Sequence, residues 1–191
     1  MNQQYPCLIY LKQSLQEFRD TINYLFNVPS ICVWTIFNEG WGQFNADKMY
    51  EICKSIDDSR LYDATSGWFK QSKSDFDSLH IYFRNKHLTP ETRPLLLSEC
   101  GGYVYSVDNA KAKWGYAICK SKQELTDKII KMYEEMVIPS IDDGLCGVIF
   151  TQISDVEGEI NGLYSFDRKI LKVDKDRIKK ISDTITKYLE R

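Results

Sequence analysis

Two glutamates stand where this sequence could do acid–base or nucleophilic chemistry. Asn38-Glu39 follows directly on the apolar run Ile31-Cys32-Val33-Trp34-Thr35-Ile36-Phe37, and Ser98-Glu99 follows on Leu95-Leu96-Leu97. Cleavage of a glycosidic bond needs two carboxyl groups: one protonates the leaving oxygen while the other attacks or activates water. Either glutamate alone reads as an ordinary solvated loop carboxylate. Taken as a pair, with Gly40-Trp41-Gly42 beside the first and Gly101-Gly102-Tyr103 beside the second, they point to function.

The elements that must position them follow from hydrophobic periodicity. Lys12 to Phe26 places Leu15, Phe18, Ile22 and Leu25 on one helical face, with Ser14 and Glu17 spaced as a capping box and Pro29 closing the segment. The run 31–37 has the continuous apolar character of a strand buried on both faces. A helix is predicted from about Asn45 to Ile56, carrying Met49, Ile52, Cys53 and Ile56 inward. Weaker strands are predicted at Leu61–Thr65 and Ser78–Tyr82, and a clear one at Leu95–Ser98. After a Gly- and Tyr-rich loop to Lys120, Ser121 and Glu124 cap a helix that Pro139 is predicted to stop. Val148–Thr151 reads as a last strand and Asp174 as the start of a last helix, with Ile178, Ile181, Ile185 and Leu189 on one face.

Strands alternating with helices imply a parallel α/β sheet built from βαβ crossovers, in which ligands sit at the carboxyl ends of the strands. Glu39 and Glu99 both leave such ends and are expected to converge on one mouth. Some five strands are fewer than the eight that close a barrel. No linker or repeat divides the chain, so residues 1–191 are expected to form a single partial domain.

Composition narrows the function classes. The 191 residues are 43% hydrophobic and 27% charged, which suits a globular protein. A formal charge of −2 gives no electrostatic case for nucleic acid. No G-x-G-x-x-G or P-loop follows a strand, and two histidines with six scattered cysteines offer no zinc pattern, so neither cofactor nor metal is expected. Cysteines inside apolar runs suit a reducing, cytoplasmic setting, and no segment reads as a membrane span.

The string Val33-Trp34-Thr35-Ile36-Phe37-Asn38-Glu39-Gly40-Trp41-Gly42-Gln43 resembles the acid/base segment of family 2 glycoside hydrolases, which include β-galactosidases, β-glucuronidases and β-mannosidases. Leu95-Leu96-Leu97-Ser98-Glu99-Cys100-Gly101-Gly102 is similar to the segment bearing that family's nucleophile. Asp77-Ser78-Leu79-His80-Ile81-Tyr82 resembles its sixth barrel strand, and Phe150-Thr151-Gln152-Ile153-Ser154-Asp155-Val156-Glu157-Gly158-Glu159-Ile160-Asn161-Gly162-Leu163 its eighth strand and following loop. Four matches in the family's order make the signal specific.

The resemblance implies an α/β fold, the (β/α)8 TIM barrel, present here from helix 3 and strand 4 to strand 8 and the last helix. It implies a retaining mechanism with Glu39 as acid/base and Glu99 as nucleophile, for which the carboxyl groups should lie about 5–5.5 Å apart. It implies that Asn38 hydrogen-bonds the sugar 2-hydroxyl, that Tyr82 hydrogen-bonds the nucleophile and that His80 lines the site, with a satisfied core histidine as the competing reading of His80. Trp41 and Trp68 are candidate sugar platforms, with burial in the core as the equal alternative. Gln152 and Asp155 could reach the sugar, whereas Glu157 and Glu159 read as loop carboxylates and the stretch Lys172–Arg191 as a solvated outer face.

The expected partner is a carbohydrate. Barrel strands one to three and the sandwich domains usual in the family are missing from this sequence, so the open sheet edges call for self-association or for further N-terminal domains. A non-catalytic module of the same fold, binding carbohydrate or assembling with a partner chain, is the alternative reading.

Overall fold

The computed structural model describes residues 5–40, 42–107 and 115–190. Contacts divide the chain into two compact units, residues 1–78 and 79–191.

In the first unit, α1 (Tyr5–Leu25) precedes β1 (Val33–Phe37), α2 (Ala46–Ile56) and β2 (Leu61–Thr65). The helix begins well before Ser14, so the Ser14–Glu17 pair lies mid-helix and caps nothing, which corrects the predicted boundary. β1 and β2 pair in parallel, with Val33 opposite Leu61, Thr35 opposite Asp63 and Phe37 opposite Thr65. Ile22 of α1, Ile36 and Phe37 of β1, Met49 and Cys53 of α2 and Tyr62 of β2 form its core.

The amino ends of these strands are tied by one polar knot. Arg60 donates to the carbonyls of Phe26, Val28 and Ile31, where the chain leaves α1, and to Asp57 Oδ2 at 2.8 Å. Asp57 is buried and also accepts from Trp34 Nε1 at 2.9 Å and from the Ser59 backbone at 3.0 Å. An arginine whose fork serves several carbonyls and one carboxylate fixes the helix-to-strand connection more rigidly than a lysine could.

The second unit is built on a three-stranded sheet in the order β3 (Asp77–Ile81, of which residues 79–81 belong to this unit), β4 (Leu95–Gly101), β7 (Leu145–Thr151). β4 and β7 are parallel, Leu95 facing Leu145 and Gly101 facing Thr151. A short parallel pair, β5 (Tyr103–Val104) and β6 (Ala117–Ile118), follows β4. The crossover to β7 is α3 (Lys122–Met132), a π-turn (Tyr133–Val137) and α4 (Ile138–Ile141), and α5 (Lys175–Leu189) packs against α3. Ser121 Oγ accepts from Glu124 N and Asp174 accepts from Asp176 N and Arg177 N, so both predicted caps form.

Pro139 does not stop its helix. In the π-turn the Ile138 N–H reaches Tyr133 O, and Pro139 then falls in the first turn of α4, where no N–H is needed. Leu95, Leu97, Cys100, Leu125, Ile129, Met132, Met136 and Val173 are among the residues that fill the core of this unit.

The two-, three- and two-stranded sheets leave no closed barrel among the described residues. Nor is any described helix long and apolar enough to cross a membrane.

Candidate active site

Glu99 lies one turn of the pleat before the carboxyl end of β4, half-buried among neighbours that are almost all buried. Its Oε2 accepts a hydrogen bond from the Tyr82 hydroxyl, and His80 Nδ1 stands 3.3 Å from the same oxygen. His80 and Tyr82 reach it because β3 is the neighbour of β4, and residues two apart on a strand face the same side. His80 is 4% exposed, so the imidazole lies inside the fold and against the carboxylate at once. Burial, and then the bond to Glu99, raise the Tyr82 phenol well above its ordinary pKa, which keeps it protonated as a donor. Burial and the Glu99 charge likewise push the Cys100 thiol up to about 12, so Cys100 is an inert core group and not a nucleophile.

Residues that sequence reasoning missed complete this wall. Thr151, at the end of β7, hydrogen-bonds the Tyr82 side chain. Tyr116 stacks on Tyr82 with ring centroids 4.0 Å apart and 12° between planes, and Phe83 meets Tyr116 edge-on at 4.9 Å. Gly102 permits that approach: a Cβ there would lie 2.6 Å from the Tyr116 ring and 3.0 Å from Tyr82. Nothing in the local sequence around Tyr116 marks it, since its partner lies 34 positions away.

The loop after β7 is closed by a buried ion pair. Lys172 Nζ lies 2.7 Å from Asp155 Oδ1 and donates to Ile160 O at 3.2 Å, and Asp155 Oδ1 also accepts from Gly162 N at 2.8 Å. Lys172 is fully buried and Asp155 is 5% exposed. Two sequence readings are corrected here. Lys172 is no part of a solvated face, because it precedes α5 and points under the loop, and Asp155 is engaged in holding the loop instead of reaching outward. Gln152, half-buried, donates its amide to Asn161 Oδ1 at 2.7 Å and to Glu159 Oε2 at 3.2 Å.

In the first unit Asn38 and Glu39 follow β1, with Asn38 exposed and Glu39 half-buried. The turn is shaped by Gly40, whose φ is +64° and whose missing Cβ leaves room for the Phe69 ring, which would lie 2.6 Å away. Gln43 Nε2 donates to Asn38 O at 2.9 Å, and Ser66 N donates to Phe37 O at 2.8 Å. Trp68 is 50% exposed, which suits a surface platform better than a core residue. Trp41 lies outside the described residues.

The second unit therefore gathers His80, Tyr82 and Glu99, with Gln152 on the adjoining strand end. Asn38, Glu39 and Trp68 belong to the first.

Residues 9–103 match the family model described as glycosyl hydrolases family 2, TIM barrel domain. No curated protein matches the sequence. Among solved structures, the fold is similar to a Faecalibacterium prausnitzii β-glucuronidase (TM-score 0.63, 14% identity, 90% of this chain and 35% of that one). It is similar also to a family 2 β-galacturonidase from Eisenbergiella tayi (0.62, 17%, 90% and 36%). A Bacteroides fragilis protein assigned as a β-galactosidase compares at 0.61 and 16% identity, over 90% and 31% of the two chains. The chain thus spans about a third of the length of these proteins, and at such identities their likeness speaks for the fold. With the barrel-domain sequence matched over residues 9–103 and the fold shared over nine-tenths of its length, this chain belongs to glycosyl hydrolase family 2 as a portion of the TIM barrel.

Proposed function

We propose that this chain is the catalytic portion of a retaining β-glycosidase, all 191 residues forming one partial barrel domain, with Glu99 as nucleophile and Glu39 as general acid/base. The observation that carries the reading is the carboxylate of Glu99 at the end of a parallel strand, held by the Tyr82 hydroxyl and faced by His80.

In the first step Glu99 attacks the anomeric carbon and the bond to the leaving oxygen breaks as that oxygen takes the proton of Glu39. The product is a glycosyl ester on Glu99. In the second step Glu39 removes a proton from water, the water oxygen attacks the same carbon, and Glu99 leaves as carboxylate with the original configuration restored. Tyr82 orients Glu99 throughout. Asn38 is assigned to the sugar 2-hydroxyl and Trp68 to a stacking platform at the rim.

Chromogenic aryl β-glycosides test the proposal directly. Release of nitrophenol by the 191-residue chain, lost in Glu99→Gln, with the β-anomer as first product, is the expected result. No turnover of any aryl β-glycoside at high enzyme concentration would sink it. A second reading, a non-catalytic carbohydrate-binding or assembly module, is favoured by one observation: the chain spans only about a third of the length of the structures it resembles. Sugar binding without turnover would establish that reading.

A further inference from the structure

We infer that His80 is a positioning residue whose Nδ1–H shares Oε2 of Glu99 with the Tyr82 hydroxyl, and that this second donor speeds release of the sugar from Glu99 in the second step. The inference deepens the hydrolase reading and rests on it.

His80 is badly placed to be a sugar contact of its own. Its side chain has no exposed surface, whereas that of Glu99 keeps 28% of its own. A ligand arriving from solvent meets the carboxylate and no part of the imidazole. The ring therefore acts on the reaction through Glu99.

The place of its proton follows from the pairing. An ionised carboxylate can only accept, so the ring nitrogen that stands 3.3 Å from Oε2 must be the one that carries hydrogen. A neutral imidazole then has Nε2 bare, and a cation has both nitrogens protonated, so Nδ1 is a donor in either case. Tyr82, two positions on, brings its hydroxyl to the same oxygen, and the two rings stand 6.4 Å apart at 78°. Beside them Ser98 Oγ donates to Leu79 O at 3.2 Å, which ties β4 to β3 at this level. Two donors fill the two lone pairs of Oε2, and Oε1 is left to bond the sugar.

Hydrogen bonds to a carboxylate stabilise its charge. In the first step Glu99 gives up charge as Oε1 bonds the anomeric carbon, so the donor brings no gain there. In the second step the water oxygen bonds that carbon, the general base takes the water proton, and the electron pair of the breaking bond returns to the carboxylate. The donor on Oε2 stabilises the charge that returns, and His80 keeps its proton throughout.

Two measurements test the inference. NMR of the imidazole nitrogens needs no turnover, and with two histidines in the chain His87→Asn assigns the signals. The expected result is a hydrogen on Nδ1 of His80, lost or shared with Nε2 in Glu99→Ala. A bare Nδ1, or a tautomer indifferent to Glu99, would overturn the inference. Stopped-flow release of dinitrophenol from 2,4-dinitrophenyl β-glycosides, whose leaving group needs no proton, separates the two steps. In His80→Leu the first equivalent should appear at close to the wild-type rate, and steady-state release should fall about tenfold or more, the scale of one hydrogen bond to a charged group. His80→Asn, which sets an amide N–H near the position of Nδ1, should recover part of the loss. Equal loss in both phases, or no recovery in His80→Asn, would make His80 a core residue without a part in the reaction. A wild-type chain without turnover would sink the hydrolase reading and with it the rate effect, while the Nδ1 proton would still decide whether His80 holds Glu99.

Discussion

The Tyr82 hydroxyl donates to Oε2 of Glu99 across adjacent strands of one sheet, and the same phenolic ring lies stacked on Tyr116. The ring stack fixes where the hydroxyl points, and the hydroxyl fixes which carboxylate oxygen remains turned outward. The catalytic proposal requires just this: one oxygen of Glu99 held and the other available to attack.

Tyr82→Phe removes the donor and keeps the ring. The stack on Tyr116 should persist, so the fold should be unchanged by near-ultraviolet circular dichroism. Turnover of the best aryl β-glycoside should fall by roughly 100-fold in kcat with little change in KM, the scale seen when one preorganised donor is lost from an active site. Unaltered kcat would show that Glu99 needs no such partner.

Lys172→Met should destabilise the protein by about 3–5 kcal/mol, because it leaves the buried carboxylate of Asp155 without its cation. Combining it with Asp155→Asn removes the stranded charge and should restore part of the loss. Urea unfolding reads both. A single variant with the wild-type midpoint would mean that the ammonium contributes nothing to closing the loop.

Gly162→Ala asks whether the same loop tolerates one methyl group. A Cβ at residue 162 would lie 2.3 Å from the Asp155 nitrogen and 2.3 Å from the Ser154 carbonyl carbon. Both are backbone atoms that cannot swing aside, so a cost of about 1–3 kcal/mol is expected. Faster hydrogen exchange at the Asp155 and Gly162 amides should accompany it, and protection equal to wild type would contradict the close packing.

Asp57 makes the first unit sensitive to acid. Burial alone would raise its carboxyl, but the hydrogen bonds from Ser59, Trp34 and Arg60 outweigh it and hold the group well below the ordinary carboxylate range. A depressed folded-state value contributes stability that is fully present above the unfolded value of about 3.9 and is lost as pH falls below it towards the folded value. The urea midpoint should therefore drop between pH 5 and pH 2, and Asp57→Asn should flatten that part of the profile while lowering stability at neutral pH. A profile unaffected by the substitution would place the acid sensitivity elsewhere.

Apart from the short strands β5 and β6, which it read as loop, the sequence by itself determined the order of the longer strands and helices, the caps at Ser121 and Asp174, and the two glutamates at strand ends. These depend on hydrophobic period and on side chains bonding backbone a few positions away, interactions that neighbouring residues settle among themselves. Tertiary structure alone decided the rest. Ser14 fell inside a helix and Pro139 failed to end one, because packing along α1 and a π-turn before α4 overrode local signals. Lys172 looked like the start of a charged surface and is buried, since only the folded loop brings Asp155, 17 positions away, to neutralise it. Tyr116, Thr151 and the orientation of Gln152 were equally invisible. Their roles come from partners on other strands and loops, and a linear pattern carries no record of which side chains the sheet will set side by side.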